Sequence, residues 1–501
     1  MKCARFGSLR GSIIARFLVL AVCIAPAVWA YAQRPAAKLS EISSDPYTIP
    51  PGQHATEVEP HALAFGSTIV ASFQTGRISP GGATDIGWAT STDGGSTWTH
   101  GFLPGLTTGE GTGPYSAASD PAVAYDPKHV VWMIATLPIA DTQTPAVTVS
   151  RSTDGGFTWN DPVSVDPTSS SSDKNWIVCD TSSTSPFYGN CYVEWDNPYT
   201  GIIYMSTSTD GGQTWGSPVS TSKSANGLGG QPLVQSNGTV IVPYESDSGA
   251  ISAFTSTTGG TSWTAPVTVS RIQSHTDAGG IRSGPLPSAA IDGAGNVWVT
   301  WEDCRFRSKC STNDLVYSTS SNGTTWSAIT RVPIDATTST VDHFIPGIGI
   351  EPTTSGATAH VAIHYYYYSN TSCTTSTCEL YVGYISSPNG GSTWNPPTKL
   401  AGPMKLAWLP NSQNGLMVGD YIATVFNSGV PHGVFAVAAA KSGSTFNEAT
   451  FTAQGLKVPE EGAVLSSAGD KPLHHLSDKI EQEHPEKGFY PPSKSARRSQ
   501  K

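Results

Sequence analysis

Arginines, carboxylates and aromatic residues gather at a few positions of this 501-residue chain where the surrounding pattern places loops. One set holds Asp120, the run Asp173-Lys174-Asn175-Trp176, Arg282, Asp342-His343 and Gly419-Asp420-Tyr421. A second holds Arg77, Glu194-Trp195-Asp196, Glu245, Glu302-Asp303 with Arg305 and Arg307, and the aromatic run from His364 to Tyr368. Planar guanidinium groups match a carboxylate, and two facing carboxylates can divide the acid and base work of glycoside hydrolysis. The same residues also have a plainer reading. Arginines beside loop carboxylates form ion pairs that stabilise little, and Trp176 and the aromatic run pack between sheets instead of stacking on a sugar. The elements that carry these residues decide between the two.

Those elements are set by a repeat. Ser91-Thr92-Asp93-Gly94-Gly95-Ser96-Thr97-Trp98 returns as Ser152-Thr153-Asp154-Gly155-Gly156-Phe157-Thr158-Trp159 and as Ser208-Thr209-Asp210-Gly211-Gly212-Gln213-Thr214-Trp215. Later copies lose the acid: Thr258 stands before Gly260 and Trp263, Ser321 before Gly323 and Trp326, and Asn389 before Gly391 and Trp394. Gly443-Ser444-Thr445-Phe446 is a seventh remnant. An Asp or Asn that accepts backbone N–H groups just ahead of it closes a tight turn, and glycine supplies the positive φ. The acids are therefore read as structural, since one Asp per turn does not supply the converging oxygen ligands of a calcium site. Glycine and proline richness, with 51 and 37 residues, fits a turn-rich all-β chain. Thr239–Tyr244 after Asn237-Gly238, and Val297–Trp301 after Gly295-Asn296, read as strands.

The pattern S-x-D-x-G-x-T-W resembles the Asp-box repeats of bacterial sialidases and of secreted Asp-box propellers. That resemblance implies an all-β propeller over 57–453. Seven units, with inner strands beginning near His61, Asp120, Asp173, Gln231, Pro287, Asp342 and Asp420, favour seven blades, or six if the last unit completes another. The repeat turns then lie on one face and the loops named above on the other. The resemblance further implies Arg77, Arg282 and Arg305 or Arg307 as clamps for a substrate carboxylate. It implies Tyr421 as nucleophile with Glu302 as its base, Asp173 as acid/base and Trp176 as part of the substrate site. No cofactor or metal is implied. The expected partner is a glycan or polysaccharide, engaged with or without release of sialic acid, and the rival is a non-catalytic propeller that binds polysaccharide or protein.

Residues 1–32 read as a signal peptide: Lys2, Arg5, Arg10 and Arg16 precede an apolar run from Phe17 to Val28, followed by Ala30-Tyr31-Ala32. The run is short for a bilayer span, so a secreted or periplasmic protein with no membrane span in the mature chain is expected. Three close cysteine pairs, Cys179 with Cys191, Cys304 with Cys310, and Cys373 with Cys378, read as local disulfides of an oxidising compartment, since their spacing is not that of a zinc site. Residues 33–56 read as a lead-in and 454–501 as a disordered polar tail. A formal net charge of -10 argues against nucleic acid as a partner.

Overall fold

The computed structural model describes residues 37–473 except 110, 142 and 168–170. The expected signal peptide, residues 33–36 of the lead-in and residues 474–501 lie outside the described residues. What is described is strand and turn, with short 3-10 turns and no helix long and apolar enough to cross a membrane.

The strands form successive antiparallel meanders of four. The first runs Gln53–Phe65, Thr68–Arg77, Ala83–Ser91 and Thr99–Phe102, and the second begins at Ala117–Asp126. Later meanders begin at Asp173–Cys179, at the split pair Gly227–Leu228 and Leu233–Val234, at Ser288–Ile291 and at Asp342–Ile350. The last contains Ala423–Asn427, Val430–Ala438 and Glu448–Gln454, and its fourth strand is Lys38–Glu41, from the other end of the chain. The expected lead-in is thus corrected: it supplies a structural strand whose ladder satisfies backbone groups that Glu448–Gln454 would otherwise leave open.

Apolar side chains on each meander pack against the next. Val131, Met133 and Val149 meet Ile177, Val193 and Trp195, while Tyr192 and Met205 meet Val240, Tyr244 and Trp263. Over 454–473, the described part of the expected tail, the expectation of disorder is corrected in the same way. Leu456 and Val458 join one core, Leu465 pairs with Trp394, and the Leu473 N–H donates to the Arg305 carbonyl at 2.7 Å. Its spaced apolar residues, hidden in a polar average, hold it down.

The repeat turns follow the expected chemistry. Asp93 Oδ1 accepts the backbone N–H groups of Ser96 and Thr97 at 3.1 and 2.9 Å, and Oδ2 accepts the Thr97 hydroxyl at 2.7 Å. Asp154 and Asp210 repeat the set. In the fifth copy, Asn322 takes this role, accepting from Thr324 and Thr325, so Ser321 is not the replacement. That copy is one residue shorter, which shifts the frame.

The six cysteines singled out from sequence pair as expected, and each bridge is local. Cys179–Cys191 joins directly paired residues of neighbouring strands. Cys304–Cys310 closes the loop between Val297–Asp303 and Asp314–Ser320, the loop that carries Arg305 and Arg307. Cys373–Cys378 closes the loop between Val361–Tyr368 and Glu379–Ser387, and Cys378 is buried in the adjoining core while Cys373 is packed against it.

Four of the first strands carry an irregularity at the same place. The register shifts between Val58 and His61, Ser119 and Ala122, Asp173 and Trp176, and Phe344 and Gly347. Glu59, Asp120, Lys174 and Ile345 sit there with φ of 56°, 49°, 46° and 47°. Such bulges re-aim a side chain, and non-glycine residues hold positive φ only where the surroundings fix them.

Candidate functional site

Three of these bulges aim Glu59, Asp120 and Lys174 at one place. Arg77 reaches it from the end of Thr68–Arg77, Arg282 from the loop before Ser288–Ile291, and Asp420 and Tyr421 from just ahead of Ala423–Asn427. Asp420 is the hub. Arg282 donates to it through Nε, at 2.6 Å, and through Nη2, and Lys174 Nζ contacts its Oδ2. Lys174 Nζ also lies 3.5 Å from Glu59 Oε1, while Gln74 donates to Glu59 Oε2. Asp120 accepts the Ser119 hydroxyl at 2.6 Å and the Lys174 N–H at 3.1 Å. Solvent reaches the cluster at Asp420 and Tyr421, 5% and 7% exposed.

Burial dominates the electrostatics. It raises the Glu59 carboxyl well above its ordinary range, aided by Asp420 and opposed by Lys174 and Arg282. It lowers Arg77 to about 10, with the Arg282 charge adding to the effect. Arg77 Nη1 is held by Gln74 Oε1 at 3.1 Å and the Gly82 carbonyl at 2.6 Å. Among the described residues, its buried Nε and Nη2 have no acceptor. Those two N–H groups form the side-on edge that matches a carboxylate in a bidentate pair.

The residues singled out from sequence divide. Arg77, Arg282, Asp173 and Tyr421 come to this end of the first strands. The Tyr421 hydroxyl donates to the Pro121 carbonyl at 3.1 Å, and burial raises its ionisation well above 10, with Glu59, Asp120 and Asp420 adding to the effect. Trp176 packs edge-on against Tyr421, ring centres 5.1 Å apart, and against His61 at 4.4 Å. Asp173 pairs across strands with Asp196. Burial and then Asp173 push the Asp196 carboxyl up.

The other three are engaged elsewhere. Glu302 lies among Asp277, Asp342 and Glu245, whereas the carboxylates acting on Tyr421 are Glu59, Asp120 and Asp420. Arg305 grips Asp303 through Nε and Nη2, both at 2.7 Å, and Arg307 donates to Asp314 and Asp335 at 2.5 and 2.6 Å. These two arginines follow the ion-pair reading because an acid stands within reach on their own meander. Asp314, Asp335 and His343 have ligand atoms within 4.8 Å of one another, but Arg307 and Arg331 already balance both carboxylates. Glu59 and Asp277 were missed. Glu59-Pro60 stands in the same frame as Asp120-Pro121 and was legible as its counterpart; Asp277 has no such signal.

Below the cluster runs a largely apolar cavity of about 510 Å³, lined by residues of all the first strands, among them Leu63, Val123, Ile177, Leu233, Ala289, Ile348 and Val425.

No family model matches the sequence, and no curated protein matches it. Solved structures do. A Dyadobacter fermentans protein of unknown function is 14% identical, with 70% of this chain and 98% of that one covered and a TM-score of 0.46. An ulvan lyase bound to a glucuronate–sulfated rhamnose ligand is 11% identical, with 83% and 96% covered and a TM-score of 0.49. The Trypanosoma rangeli sialidase in complex with the inhibitor DANA is 13% identical, with 69% of this chain covered and a TM-score of 0.44. The chain spans 60% of that sialidase's length.

Proposed function

We propose that the chain is an exported β-propeller of seven blades that binds carboxylate-bearing glycans at one end of its central channel. The radial reading is supported by the cavity that all seven first strands line, and by Lys38–Glu41 completing the last meander. Export is supported by the three disulfides.

The observation that carries the binding reading is the Arg77 edge: a guanidinium fixed through Nη1, with Nε and Nη2 unpaired among the described residues and Arg282 close by. Asp420 occupies the position between Arg282 and Lys174 that a sugar carboxylate would take, so a ligand enters by displacing it. Binding is favoured over tyrosine-mediated hydrolysis because burial and three carboxylates oppose ionisation of Tyr421.

A glycan array and a fluorogenic sialoside test this together. The expected outcome is retention of uronate- or sialate-bearing glycans over neutral ones, without turnover. Turnover abolished by Tyr421→Phe would establish the hydrolase reading instead, and equal retention of neutral glycans would remove the carboxylate from the account.

A further inference from the structure

The loop spanning 273–283 delivers Arg282 to the cluster and carries a second carboxylate, Asp277, into contact with neighbouring strands. Asn313 clasps two acids at once: its side-chain Nδ2 donates to Asp277 Oδ1 at 3.2 Å, and its backbone N–H donates to Asp342 Oδ1 at 2.6 Å. The Asn313 Nδ2 also donates to the His275 carbonyl at 2.7 Å, and Asn313 Oδ1 accepts the His275 N–H at 2.7 Å, so the clasp holds this loop in place. The remaining oxygens, Asp277 Oδ2 and Asp342 Oδ2, are buried and have no hydrogen-bond donor among the described residues. Yet the two side chains lie within hydrogen-bonding reach of each other. Two ionised carboxylates can only accept, so this approach is satisfied by one proton between them.

Among the described residues, the surroundings offer no simpler neutraliser. Glu302, facing both aspartates, has a buried Oε2 without a partner among the described residues, and Glu245 adds its charge to the same group. Tyr368 stands directly across the strand pair from Asp342, with its hydroxyl buried and without a partner among the described residues. Ser283 favours the ionised form of Asp277 but does not outweigh burial. His275 Nε2 is 3.8 Å from Asp342 Oδ2, but burial lowers its basicity. Arg307 favours ionised Asp342 from a distance while bonded to Asp314 and Asp335.

The geometry points to a single proton shared by Asp277 and Asp342 that latches the 273–283 loop, and with it Arg282, onto the neighbouring strands. Loss of that proton sets two anions side by side next to Glu302, and the loop is pushed off. Burial raises both carboxyls, Asp277 to about 6 and Asp342 well above its ordinary range, and their contact favours the proton on Asp342, so the latch holds in acid and fails as pH rises through the Asp342 value. This does not rest on the glycan reading.

Hydrogen–deuterium exchange of peptides covering 273–286, corrected for the intrinsic rate at each pH, reads the latch directly. In the wild type, protection should fall by about tenfold or more between pH 5 and pH 8. Asp277→Asn keeps the Oδ1 acceptor and supplies an N–H to Asp342 in place of the shared proton, so its protection should persist at pH 8. Asp342→Asn is the second variant if the first does not fold. Wild-type protection independent of pH, or a variant as sensitive as wild type, overturns the inference. So does restoration at pH 8 by added calcium with loss at pH 5 in EDTA, which would make the occupant a cation.

Discussion

Aspartates at the two ends of the strands meet opposite fates. In the repeat turns, Asp93 is exposed and is served by groups three and four residues ahead; the Thr97 N–H, then the Thr97 and Ser91 hydroxyls, hold it at about 2. At the other end, Asp420 is buried and is served by Arg282 and Lys174, 138 and 246 residues away. The first kind closes a turn and needs nothing else. The second holds distant meanders together and depends on every partner being present. Local chemistry thus builds the frame, and long-range charge builds the site.

The sharpest way to break this contrast is to remove one long-range partner. Arg282→Met leaves Asp420 with Lys174 alone beside Glu59 in a buried site and should cost about 3–5 kcal/mol in urea unfolding. A loss under 1 kcal/mol would show that the cluster does not hold the meanders.

Acid and base should treat the two ends differently as well. Burial raises Glu57 to about 8, and Glu59, Glu194, Asp196, Glu302, Asp342 and Glu448 rise for the same reason. The folded chain keeps protons there that the unfolded chain releases above about 4.5, so their contribution is fully present below that value and is lost as pH rises through the folded values. Buried His61 and His364, lowered to about 3, His343, lowered to about 4, and His275 and His432 act in the opposite sense: the unfolded chain takes up protons below 6.5 and stability falls. The carboxylates outnumber these histidines, so thermal stability should peak near about pH 5 and decline toward pH 8. A maximum at pH 8 would contradict the buried-acid account. Box acids such as Asp93 contribute above their unfolded value of 3.8 and lose that contribution only toward pH 2.

The smallest effect belongs to the turns. Asp154→Ala should cost at most about 1 kcal/mol in urea, because the bonds it loses are local and water replaces them. A larger cost would mean that the turn does more than close on itself.

This division also explains what the sequence could reveal. The box turns, the succession of strands and the bridges Cys179–Cys191, Cys304–Cys310 and Cys373–Cys378 were legible because each depends on residues a few positions apart. Ser321 was read in the place that Asn322 takes because a single deletion shifts that copy, and Lys38–Glu41 looked like a lead-in because its partner is at the far end of the chain. The gathering of Arg77, Arg282, Asp173 and Tyr421 was legible through the repeat, which places every loop of one kind at one end. The diversion of Glu302, Arg305 and Arg307 was not, since choosing between nearby acids requires distances. Glu59 joins the cluster through a backbone bulge, and only its Glu-Pro pair hinted at that.

Calorimetric titration of wild type, Arg77→Lys and Asp154→Asn with a sialylated or uronate oligosaccharide at pH 5 compares the two ends directly. Lysine keeps the charge but loses the side-on edge, so affinity should fall by roughly tenfold or more in Arg77→Lys, while Asp154→Asn binds like wild type. Equal affinity for all three, or a loss confined to Asp154→Asn, would contradict the placement of the glycan site at Arg77.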